Sequence, residues 1–169
     1  MYKVTGFLFF LMFASARAFA QSYEVPKNYV LKTDADYERY EPEVIKTADW
    51  LQQTPWSSSP QKMDAATQFL LKWAKGSPAV TIKLTEAVMS LSDRNPQLGF
   101  IYMAQFSKYS LQHKHDFDLN AANVTALKAL IDKYNSEPKK RKDDDVENLI
   151  QLEKKGELND WIAAAFYTE

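Results

Sequence analysis

NPQLGFIYMAQFSKYSL, residues 95–111, is the stretch that decides the fold. Asn95-Pro96 is a helix-opening signal, because proline suits the first turn, where its missing N–H costs nothing. Wound as a helix, Leu98, Phe100, Ile101, Tyr102, Met103, Ala104, Phe106, Tyr109 and Leu111 leave no consistently polar face. A helix that is apolar all round must be surrounded by other elements. The stretch therefore predicts a central helix, and the rest of the chain has to supply its coat.

The flanking sequence supplies helical patterns separated by clear punctuation. Asn120 caps a downstream helix with Val124, Leu127, Leu130, Ile131 and Tyr134 on one face. Pro138 and the cationic run Lys139 to Lys142 break the chain, and Asp143 to Asp145 place acid at the next helix start. That helix presents Val146, Leu149 and Ile150 and ends with Lys154-Lys155 before Gly156; a last helix carries Leu158, Trp161, Ile162, Ala165 and Phe166. Upstream, Ser77-Pro78 precedes the helical stripe Val80, Leu84, Ala87, Val88 and Leu91. Val80-Thr81-Ile82 would also suit a strand, but one isolated strand would find no partner, so the expectation is helix. Ser59 and Pro60 open a helix with Met63, Ala66, Phe69, Leu70 and Trp73 on one face, and Gly76 is placed to end it in a left-handed cap. Pro42 is expected at the first position of a helix carrying Val44, Ile45, Ala48 and Leu51, after a short turn from Thr33 or Asp34 to Tyr40.

The sum is an all-α chain of about six or seven helices, read as a compact bundle. A short right-handed stack of helix pairs is the alternative, since several helices begin with a proline near the first position. Leu98-Gly99 with Tyr102 even matches a fragment of the tetratricopeptide repeat, although Leu111 and His115 stand where that repeat has Ala and Phe. The predicted organisation is residues 1–20 as a leader, 21–32 as an extended arm and 33–169 as a single helical domain.

The leader reading rests on MYKVTGFLFFLMFASARAFA, residues 1–20: Lys3, an apolar run from Val4 to Phe13, then Ala18-Phe19-Ala20. This is the pattern of a secretory signal peptide cleaved after Ala20. The apolar run is about half of what a membrane-spanning helix needs. The 169-residue chain has no cysteine, which rules out a lipidated Cys at the cut, thiol catalysis and Cys-ligated zinc. A released, secreted or periplasmic protein is expected, with no membrane span and no lipid anchor. Losing Lys3 and Arg17 takes the formal net charge from −1 to −3. Such mild acidity argues against a nucleic-acid partner, which demands a concentrated basic face.

Trp50-Leu51-Gln52-Gln53-Thr54-Pro55, the segment AATQFLLKWAKGSP at 65–78 and IYMAQFSKYSL at 101–111 give the chain a resemblance to a group of small, signal-peptide-bearing, all-helical proteins of Gram-negative bacteria. The resemblance implies export and helicity and brings no catalytic residue with it.

Candidate chemistry is sparse. His113, His115, Asp116 and Asp118 form the one cluster rich in possible metal ligands, but histidines two apart diverge by about 200° on a helix. A helix end followed by a cap explains them as well, and no metal or other cofactor is expected. Asp143 to Asp145 lacks the glycine and glutamate of a calcium loop. Asn123-Val124-Thr125 matches a glycosylation acceptor inside a predicted helix. Glu41, Glu43, Asp49, Asp64 and Glu86 could serve a carboxylate-based hydrolase or lyase acting on a cell-envelope or environmental polymer only if the fold gathers them. The aromatics point elsewhere. Trp56 lies in the loop from Thr54 to Pro60, where no helical stripe accounts for it, and Tyr37 and Tyr40 are similarly hard to place. An exposed patch of these three would suit a protein or glycan partner. The leading expectation is a non-enzymatic binding module.

Overall fold

The computed structural model of the chain describes residues 23–165 and contains seven helices: α1 Asp34–Gln53, α2 Pro60–Gly76, α3 Glu86–Ser90, α4 Gln97–Gln112, α5 Leu119–Ser136, α6 Asp144–Lys155 and α7 Leu158–Ala165. The leader, its cut after Ala20, and Phe166 lie outside the described residues. No described helix is long and apolar enough to cross a membrane.

α4 is the hub. Seven successive residues, Ile101 to Ser107, are buried, which covers its circumference nearly twice over. It packs on α5, α1 and α2, while α6 and α7 close over α5. Helices distant in sequence, such as α1 and α5, also touch. In a helix-pair stack each unit would meet only its neighbours, so the architecture is the bundle. Two polar residues of α4 donate to backbone carbonyls: Gln105 Nε2 to that of Ala48 on α1 at 3.0 Å and Ser110 Oγ to that of Phe106 at 2.9 Å.

α1 corrects the sequence reading. It runs unbroken from Asp34, with Pro42 inside it rather than at its start. Proline removes the N–H that would reach the Glu38 carbonyl, but Glu38 is exposed, so water can serve that oxygen. Packing holds the two halves in line. Tyr40 sits edge-on to Phe69 at 6.0 Å, and the Trp73 indole N–H donates to the Tyr37 carbonyl at 2.9 Å. The N-terminus carries a full capping box: Thr33 Oγ1 accepts from the Asp36 amide, and Asp36 Oδ2 accepts from the Thr33 amide at 3.0 Å.

Those backbone donors, Lys32 N–H and then Thr33 N–H, hold the Asp36 carboxyl below its ordinary value. A lowered folded-state pKa stabilises at every pH above the ordinary carboxylate value and is lost as pH falls through the folded one. Asp36→Asn should therefore lower the neutral plateau of a stability–pH profile and flatten its acid limb, so that the two proteins converge as pH falls below about 4. Equal acid limbs for both proteins in urea titrations would contradict this.

Residues 23–32 run antiparallel to α1 along its groove with α2. The Tyr23 hydroxyl bonds Thr47 Oγ1 at 2.8 Å, Tyr29 packs on Tyr40 and Phe69, and the Tyr37 hydroxyl donates to the Leu31 carbonyl. Burial pushes the Tyr23 phenol up to about 12. Asn28 takes a left-handed φ of 53°, which asparagine tolerates better than most residues.

Gly76 is needed for a reason other than the expected left-handed cap. It ends α2 without a positive φ; the left-handed cap is Gly156, φ 77°, after α6. A β-carbon at Gly76 would stand 2.6 Å from Tyr37 Cζ. Gly76→Ala should cost about 1–3 kcal/mol by overpacking. In a Tyr37→Ala background the same change should stabilise by up to ~1 kcal/mol, since alanine is the better helix former. A double-mutant cycle in urea reads the reversal.

One further start differs in detail. Asp118 rather than Asn120 caps α5, its Oδ1 accepting from Ala121 N–H at 2.7 Å. α6 starts where acid was expected, and Asp143 is its cap, accepting from the Asp145 and Val146 amides.

Candidate binding clefts along residues 77–85

The expected helix from Val80 to Leu91 is reduced to α3; residues 77–85 form neither helix nor strand. Local chemistry explains this. Pro78 disfavours helical geometry at Ser77, whose ψ is 128°, and Val80, Thr81, Ile82 and Thr85 are β-branched. The segment is pinned at both ends. Val80 is buried, and Thr85 is buried while its Oγ1 caps α3 through the Val88 amide at 3.4 Å.

Between those pins the segment straps the bundle over α4, and alternate residues line opposite clefts. Thr81, Lys83 and Thr85 face a cleft of about 240 Å³ shared with Phe106, Phe117 and Leu119. Ile82 and Leu84 face a wider one of about 470 Å³ shared with Leu71, Ala74 and Met103. A period of two is that of an extended chain. Large apolar side chains stay open to solvent here: Leu84 is 49% exposed, Phe117 45%, Leu119 44% and Leu71 38%. No hydrogen bond from the described residues reaches the backbone of residues 80–84.

Charge is one-sided. Lys83 borders the smaller cleft, Lys72 and Lys75 the wider one, and Lys114 a neighbouring cleft beside Phe117. Lys72 and Lys75 also border a shallow cleft at Tyr29, Tyr37 and Gly76. Among the described residues no carboxylate lines any of these clefts, although the chain holds more acidic than basic residues. Lys114 is engaged by Glu41 at 2.5 Å and Lys72 lies 5.6 Å from the Tyr29 ring centre; Lys75 and Lys83 have no ion-pair partner among the described residues.

The exposed aromatic patch expected at Trp56, Tyr37 and Tyr40 is not found: all three are half-buried and pack on the core. Tyr37 and Tyr40 lie in the first half of α1, whereas Trp56 lies beyond its far end, on the order of 25 Å away along the axis. Trp56 is fixed by its backbone N–H, which donates to Glu137 Oε1 at 3.1 Å. Its loop joins α1 to α5 through that bond, while Pro55, Ser57 and Ser58 stay exposed.

The other candidates are also placed. His113 stacks on Tyr109 with ring centres 4.2 Å apart and sits 3.3 Å from Asp116, while Asp118 serves as the α5 cap. Among the described residues no group of three His, Asp or Glu is arranged to hold a metal, so His113, His115, Asp116 and Asp118 do not converge. The carboxylates are dispersed: Glu41 pairs with Lys114, Glu43 with Lys46 and Asp49 with Lys108, while Asp64 and Glu86 are exposed on α2 and α3. Asn123 is buried and accepts from the Tyr102 hydroxyl at 2.6 Å, a poor glycan acceptor. The run from Lys139 is tied down by Asn95, which exchanges two hydrogen bonds with the backbone of Arg141.

Sequence reasoning missed the residues around the strap. Two signals were present. Leu71 falls off the helical stripe of α2, and the β-branched run follows a proline.

Comparison with models of protein families, with curated proteins and with solved structures finds no match.

Proposed function

We propose that the chain is an exported, non-enzymatic binding module whose ligand surface is the strap at residues 77–85 with its two flanking clefts. The observation that carries this reading is the pairing of exposed apolar walls with a lysine rim free of carboxylates. Exposed apolar clefts of this kind are the usual form of a ligand or partner surface. The ligand is anionic and partly apolar. Aliphatic and Phe walls suit a protein partner better than a glycan, which favours flat exposed Trp or Tyr. Export rests on the leader pattern, and it implies a partner in the periplasm or outside the cell.

Pull-down of the mature protein from its own cell envelope, with variants in parallel, tests this. Leu84→Asp, at a half-exposed position, should fold and lose the partner. Trp56→Ala should be destabilised and still retain the partner wherever it is folded. Retention by Leu84→Asp together with loss by folded Trp56→Ala would move the surface to the Trp56 loop and end the proposal.

A further inference from the structure

We infer that residues 80–84 are an acceptor edge for an extended, acidic segment of a partner protein, which adds a strand to the strap. This rests on the strap clefts being the ligand surface and names what fills them.

Residues 80–84 receive no hydrogen bond from the described residues, yet Val80 and Thr85 fix both ends in the bundle. Since side chains alternate between the two clefts, the N–H and C=O groups lie across that direction, so one edge faces outward. An incoming strand on that edge gains main-chain bonds and hangs its own alternate side chains over the two clefts, the logic of strand addition. A fatty acid or lipid headgroup could use the clefts and the lysines, but it offers nothing to a row of peptide groups. That asymmetry favours a peptide.

Charge then selects which peptide. Lys75 and Lys83 stand on opposite sides of the strap without ion-pair partners among the described residues. A strand with apolar residues at alternate positions and carboxylates between them meets both the Leu71 and Phe117 walls and these ammonium groups. A second copy of this chain is a poor occupant, because its strap would bring lysine rather than carboxylate to a rim that already holds only cations. Lysine on an open edge also discourages indiscriminate pairing, which leaves an acidic strand as the favoured partner.

The test uses the purified protein and a capped octapeptide of alternating Glu and Val. Binding should protect the amides of the strap from hydrogen exchange, read residue by residue by NMR. The same peptide N-methylated at alternate amides should lose binding, because it cannot complete the ladder. Lys75→Glu with Lys83→Glu, both at exposed positions, should weaken binding about tenfold or more. Failure of the peptide to bind, unchanged binding after N-methylation, or strap-dependent dimerisation each overturns the inference. Decanoate serves as the second arm. If it fills the clefts and strap exchange stays unprotected, the strand inference fails while the cleft reading stands; if Leu84→Asp leaves the native partner bound, the cleft reading itself fails.

Discussion

Lys133→Ala should destabilise the protein by about 3–5 kcal/mol, because it leaves a carboxylate buried without its cation. Lys133 and Glu137 lie one turn apart at the end of α5, 2.8 Å from each other, with side chains only 2% exposed. The ammonium also donates to the carbonyls of Thr54 at 2.6 Å and Gln52 at 3.3 Å. Those carbonyls belong to the C-terminal end of α1 and its cap, so a side chain of α5 satisfies acceptors that α1 cannot. Glu137 completes the joint by accepting from Trp56 N–H. Replacing both residues with Met removes the stranded charge, and many buried pairs tolerate that exchange. This pair should not tolerate it fully, since the two carbonyls and the Trp56 amide would remain unpaired at about 1–3 kcal/mol. Urea unfolding of both variants at low and high salt checks the ordering. A pair shielded from solvent should give nearly the same loss in each, and a loss that vanishes in high salt would mean that the pair is effectively exposed.

The bundle was legible wherever local chemistry and packing agreed. Residues 101–107 have no polar face, and they are buried on every side. Asp143 to Asp145 read as acid at a helix start, and α6 begins there with Val146, Leu149 and Ile150 buried behind it. Legibility failed where a long-range contact decided between local options. Pro42 is a good first residue of a helix, yet Thr33 and Asp36 start α1 eight residues earlier, and contacts from Phe69 and Trp73 on α2 hold that half in place. Val80, Leu84, Ala87, Val88 and Leu91 have helical spacing, yet their N-terminal part is extended, as Pro78 and the β-branched run prefer. The site was less legible than the fold for the same reason. Lys72 and Lys75 lie on α2, Lys83 on the strap and Lys114 beyond α4, so no window of sequence shows them as a group.

Trp73→Ala should cost about 3–5 kcal/mol, a large share of the roughly 5–15 kcal/mol that holds an ordinary domain. Trp73 is fully buried in α2, and its indole N–H reaches α1 at the Tyr37 carbonyl. Two effects are lost together in that variant, and Trp73→Phe separates them. Phenylalanine keeps much of the apolar volume but cannot donate. The Tyr37 carbonyl retains the acceptor role inside α1, so losing the indole bond should cost only about 0.5–1.5 kcal/mol, with a small void added. Packing is thus expected to outweigh the hydrogen bond by a factor of about two or more. Equal losses for the two variants would reverse that order and make the α1–α2 joint polar in origin. The comparison also bears on the clefts. Leu71, Lys72 and Lys75 face the clefts from the helix that Trp73 anchors, so Trp73→Phe should bind the Glu-Val peptide normally wherever it is folded, whereas an unchanged urea slope is required before Trp73→Ala can be compared at all.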